Sequence, residues 1–66
     1  MNTETRKRVS IIFEKARKYV RGKNYEGMNN ERRKLAEMVR DKVTSSEVLR
    51  DFDGSMNYYY HIYHCM

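Results

Sequence analysis

The chain has 66 residues, enough for one small domain, and a fold of that size buries roughly 60% of the surface its unfolded chain exposes. Cys65 is the only cysteine, so no disulfide within the chain can staple so thin a core, and a partner subunit or a metal is the usual substitute. At 39% hydrophobic and 35% charged residues the composition is polar, yet the apolar residues cluster too well for a disordered chain.

The net charge of +5 is unevenly spread. Residues 1–23 carry eight Lys/Arg against Glu4 and Glu14; residues 24–44 are nearly balanced; residues 45–66 carry Arg50 against Glu47, Asp51 and Asp53. Such asymmetry points to a basic tail or face that meets an anionic partner. A lone thiol and the lack of any apolar run of signal or membrane-spanning length lead to the expectation of a cytoplasmic protein with no membrane contact. Proline is absent, so no segment is barred from being helical.

The first predicted element is a helix from Thr3 to Arg21. Val9, Ile12, Phe13, Ala16, Tyr19 and Val20 recur with the three-four spacing of an amphipathic helix. Thr3 is the expected N-cap, Glu4 suits the positive end of the dipole, and Gly22 is the expected stop. Residues 22–30 hold two glycines and three asparagines and read as a loop. A second helix is expected from Glu31 to Val43, capped by Asn29 or Asn30, with Leu35, Met38, Val39 and Val43 on its apolar face. Thr44-Ser45-Ser46-Glu47 has the form of a capping box. It opens a short third helix to Asp51 that buries Val48, Leu49 and Phe52, and Gly54 is the expected end. The segment from Ser55 onward is read as a further aromatic helix, although its tyrosines also favour strands. The fold class is therefore all-α: a small bundle of an antiparallel helical hairpin, a short third helix and an aromatic C-terminal segment, forming one domain over residues 1–66.

The tyrosine-rich segment is the most unusual feature. No helix buries Tyr58, Tyr59, Tyr60 and Tyr63 on one side, so some must meet solvent or a partner, and tyrosine is enriched at interfaces. Tyr58, Tyr60, Tyr63 and His61 are the candidate partner-binding residues. The bland reading, in which half of them complete the core, competes with this.

A second candidate surface is basic. Lys15, Arg17, Lys18, Arg21, Arg32 and Arg33 could contact nucleic-acid phosphates, releasing counterions as they do so. Charged residues are also what the wet face of any amphipathic helix needs, and Arg32-Arg33-Lys34 could simply pair with Glu31, Glu37 or Glu14. Helix two, the Thr44 turn and helix three have the size of a helix-turn-helix. Arg40 and Asp41 stand where that motif carries a glycine and an apolar residue, and Ser45, Ser46, Glu47 and Arg50 read bases poorly.

His61, His64 and Cys65 fall at i, i+3 and i+4 and form a weak metal candidate, one ligand short of a closed zinc site. Asp51-Phe52-Asp53-Gly54 lacks the spacing of a calcium loop. No nucleophile stands with a matched histidine and acid, and no glycine-rich phosphate loop is present. No catalytic residue and no cofactor are therefore expected. The leading reading is a non-catalytic regulator or inhibitor that binds a larger protein or nucleoprotein partner and pairs as a homodimer; the alternative is a nucleic-acid binder using the basic first helix.

Overall fold

The computed structural model describes residues 2–64 and shows three helices with no strand among them: α1 (Thr3–Arg21), α2 (Tyr25–Arg40) and α3 (Ser46–His64). Phe13 lies against Phe52, Arg17 against Tyr59, and Val20 against His64. These pairs advance together along α1 and α3, so the two helices run parallel, and α2 runs back antiparallel, packed against both.

Helix α1 has the expected bounds, but its N-cap is Asn2, whose side-chain oxygen accepts from the Thr5 N–H at 2.8 Å. At the other end Gly22 keeps a negative φ and Lys23 takes the left-handed conformation at φ 61°. The Asn24 N–H donates to the Tyr19 carbonyl and the Lys23 N–H to the Val20 carbonyl, the double closure of a Schellman turn. The same closure ends α2: Lys42 has φ 60°, Val43 donates to Met38 and Lys42 to Val39. Both left-handed positions carry lysine where glycine is the unstrained choice.

Several further sequence expectations are corrected. The loop expected over residues 22–30 shrinks to its first three, because Asn24 caps a helix beginning at Tyr25 by accepting from the Gly27 N–H at 3.0 Å. Gly27 belongs inside that helix: a Cβ there would come within 2.8–2.9 Å of the Tyr19 ring, so the glycine lets α1 and α2 approach. The helix expected to reach Val43 ends at Arg40, leaving Val43 42% exposed.

The capping box does not form as read. Helix α3 starts at Ser46, and the Thr44 Oγ1 is buried without a hydrogen-bond partner among the described residues. The short third helix and the aromatic segment are one 19-residue element, so the third helix is not short. Gly54 neither ends it nor adopts a positive φ. Phe52 and Met56, one turn apart and both buried, hold α3 helical on either side of it.

The buried core is Ile12, Ala16 and Val20 from α1, Leu35 and Met38 from α2, and Phe52 and Met56 from α3. Val9, Phe13, Met28, Val48, Leu49 and Tyr59 pack around it partly exposed. Phe13 and Phe52 meet edge to face with centroids 5.3 Å apart, a geometry that adds roughly 0.5–1.5 kcal/mol to their burial. No described helix is long and apolar enough to cross a membrane.

Candidate partner-binding surface

The last three turns of α3 run beside the C-terminal end of α1 and the start of α2. Their aromatic residues divide between these neighbours. Toward α1, Tyr59 and Tyr63 stack with rings 17° from parallel and centroids 6.2 Å apart. The Arg17 guanidinium lies 5.5 Å from the Tyr59 ring centroid, and its NH1 group donates to the Tyr59 hydroxyl at 3.4 Å. That hydrogen bond raises the Arg17 pKa above its ordinary value, and a guanidinium is cationic throughout the working pH range with or without it. Toward α2, Tyr60, His64 and Tyr25 form an edge-packed cluster with centroids 5.5–6.2 Å apart. His64 Nε2 stands 2.7 Å from the Val20 carbonyl oxygen. Nε2 is therefore the protonated, donating nitrogen, and it helps satisfy the open C-terminal end of α1.

The candidate residues named from sequence thus do not share one face. Tyr60 leans to α2 and Tyr63 to α1, with 41% and 39% exposure, while Tyr58, at 63%, and His61 look outward. They wrap the end of α3. Ile62 also lies exposed there, one turn beyond Tyr58; its four-residue spacing from Tyr58 was the signal available in the sequence. The contribution of Tyr25 depends on how the helices cross and left no local mark.

Between α1 and α3 runs an open groove of about 400 Å³, floored by Val9, Phe13 and Met56 and edged by Glu14, Arg17, Ser55 and Tyr59. A second shallow depression on the outer flank of α3 is lined by Arg50, Asp51, Gly54, Ser55, Tyr58 and Tyr59. The two meet at Ser55 and Tyr59.

The basic candidates are dispersed. Arg32 is engaged by Asp53 in a two-pronged pair at 2.7 and 2.9 Å, and that carboxylate raises the Arg32 pKa. Both side chains of the pair are almost half exposed, so it contributes about 0–1 kcal/mol to stability. Lys34 pairs with the buried Glu31 at 2.9 Å. Arg8 and Lys15 border a depression that also holds Glu31, Glu37 and Asp41. Arg33 lies exposed beside Tyr19 and Gly27. Lys18 and Arg21 are exposed on α1, Arg17 lies over the Tyr59 ring, and Arg32, held by Asp53, borders a pocket with Tyr25 and Tyr60. On the flank between α1 and α2, Glu31, Glu37 and Asp41 interrupt the basic residues, whereas Arg17, Lys18 and Arg21 follow one another on α1 with no acid between them.

Among the described residues no group of three His, Cys, Asp or Glu could hold a metal ion. His64 is committed to the Val20 carbonyl, His61 is exposed, and Cys65 lies outside the described residues. Comparison with protein-family models, with curated proteins and with solved structures gave no match, so the reading of this surface rests on its chemistry.

Proposed function

We propose that this chain is a non-catalytic binding protein whose contact surface is the aromatic end of α3, and that its partner is a protein. The carrying observation is the exposure of Tyr58, Tyr60, Ile62 and Tyr63 on an element whose other half is pinned into the core by Phe52 and Met56. Large aromatic side chains on a rigid helix lose little conformational freedom on contact and commonly dominate an interface. The basic residues of α1, interleaved with Glu14 and separated from the neutralised Arg32, would mainly steer association. The same surface, with its thin core, also favours pairing of the chain with itself.

Nucleic acid is the second reading, favoured by one contact: Arg17 over the partly buried Tyr59 ring, with the exposed Tyr63 stacked beside it, sets a cation next to aromatic rings, the combination that holds unpaired bases. The two readings separate with two variants. Changing Tyr58, Tyr60 and Tyr63 together to serine should abolish capture of a defined protein from the source cells. Changing Lys15, Arg17, Lys18 and Arg21 to glutamine should leave that capture in place and slow it. The reverse pattern, with the charge variant losing its partner and the serine variant keeping it, would overturn the protein-binding role. Circular dichroism must show both variants folded.

A further inference from the structure

Helix α3 carries a second regularity beside its core-facing one, sharing with it only Val48, which packs partly against the core. Val48, Asp51, Ser55, Tyr58 and Ile62 are spaced three, four, three and four apart. That is the seam of a helix pair. It runs down the flank of α3 that borders both depressions, and Asp51, Ser55 and Tyr58 line the outer one. Tyr58 and Ile62 are exposed and Val48 and Ser55 half-exposed. Tyr58 and Ile62, with the exposed Asp51 two turns before Tyr58, leave that flank of α3 without a partner helix among the described residues.

We infer that the partner is a second copy of this chain, joined through an antiparallel, two-fold pairing of the two α3 helices. This rests on the protein-binding reading above. Three observations select this occupant.

The first is charge. Asp51 is exposed and makes no ion pair with any described residue, whereas Asp53 is already held by Arg32. Arg17 lies beside Tyr59 on the same side of the bundle as the groove. In an antiparallel pair crossing between Ser55 and Tyr58, Asp51 of one copy faces the turn from Tyr59 to Ile62 of the other. The Arg17 of that other copy stands at this level. Two-fold symmetry makes the contact twice. A parallel pair would instead set Asp51 against Asp51.

The second is size. An antiparallel crossing at this point sets the small Ser55 opposite the large Tyr58 in both halves of the seam, so the backbones can approach without a clash. Gly54, where an added Cβ would meet nothing within 4 Å, leaves further room on that flank. The third is what remains outside. Tyr60 and His61 lie off the seam, so a dimer covers Tyr58 and Ile62 and still presents part of the aromatic end to a larger partner.

The experiment is a charge exchange read by sedimentation. Arg17 and Asp51 are both exposed, so Arg17→Asp and Asp51→Arg should leave the monomer folded, checked by circular dichroism. Sedimentation equilibrium of the unmodified chain from about 1 μM to about 1 mM, the range in which modest helix-pair interfaces associate, should show a dimer. Raising the salt should weaken it. Each single variant turns two attractions into two repulsions and should weaken the dimer about tenfold or more. An equimolar mixture of the two variants should restore association, because every Arg–Arg or Asp–Asp contact becomes an Arg–Asp contact. A chain monomeric throughout the range overturns the inference. So does a dimer indifferent to both substitutions, or a pair of weakened variants that mixing does not rescue. A variant with Tyr60→Ser and His61→Ala, which keeps Tyr58 and Ile62, should lose capture of a larger protein yet sediment as the parent does, so the seam can fail while the protein-binding role stands, and the reverse.

Discussion

Gly54 is the residue at which sequence and structure part most sharply, and replacing it tests the continuity of α3. In a helix that ends at Gly54, the glycine would occupy a left-handed cap, and alanine there would be strained by about 1–2 kcal/mol. In the structure Gly54 lies inside a helix, its φ is negative, and a Cβ would meet no atom within 4 Å. Alanine then carries only its helix-propensity advantage, about 0.5–1 kcal/mol. For a domain this small that raises the thermal midpoint by roughly 2–8 °C. Gly27 is the internal control. It is equally helical and gains the same propensity, but its Cβ would lie 2.8 Å from Tyr19 Cδ1 and 2.9 Å from Cγ. A ring gripped between two helices cannot swing away as a flexible chain end can, and overpacking of this kind costs about 1–3 kcal/mol. Gly27→Ala should therefore melt below the parent and Gly54→Ala above it. Thermal unfolding followed at 222 nm, at low micromolar concentration, measures both. A lower midpoint for Gly54→Ala would show that α3 breaks there and that the aromatic end is a separate element.

Three further perturbations follow from the turns and the core. Lys23→Gly and Lys42→Gly, at φ near 60°, should each stabilise by about 0.5–1 kcal/mol, since relief of left-handed strain exceeds the extra freedom of the unfolded chain; an unchanged urea midpoint would argue against the double closure at both helix ends. Thr44→Val should be neutral or stabilising by up to about 1 kcal/mol, because it removes a buried hydroxyl that has no partner among the described residues. A loss near 1 kcal/mol would instead restore Thr44 as the cap of α3. Phe52 is fully buried against Phe13, and Phe52→Ala should cost about 3–5 kcal/mol, enough to leave much of the chain unfolded at room temperature by circular dichroism.

What the sequence disclosed followed the strength of its periodic signals. Helix α1 was legible because its apolar residues keep helical spacing over three turns and Arg21-Gly22 ends them; only its cap moved, from Thr3 to Asn2. The start of α2 was obscured because Asn24, Gly27, Asn29 and Asn30 are turn formers in isolation. Packing of Met28 against the core and the close approach of Tyr19 outweigh their local preference. Gly54 misled for the same reason: a single glycine costs a helix less than burying Phe52 and Met56 gains. The aromatic excess of α3 was evident from composition, but its division between Arg17 on one side and Tyr25 on the other depends on the parallel course of α1 and α3. No local pattern encodes that course. The seam through Val48, Asp51, Ser55, Tyr58 and Ile62 was hidden because a serine and an aspartate interrupt its apolar character.

Whether the surface of this chain takes protein or nucleic acid is decided most directly by titrating the unmodified chain against duplex and single-stranded oligonucleotides at two salt concentrations. A protein-binding role, with basic residues interleaved by carboxylates and Arg32 held by Asp53, predicts no sub-micromolar affinity at physiological salt for either form. Binding below about 1 μM, with a logarithmic salt slope corresponding to several displaced counterions, would contradict it and assign Arg17, Lys18 and Arg21 to phosphates.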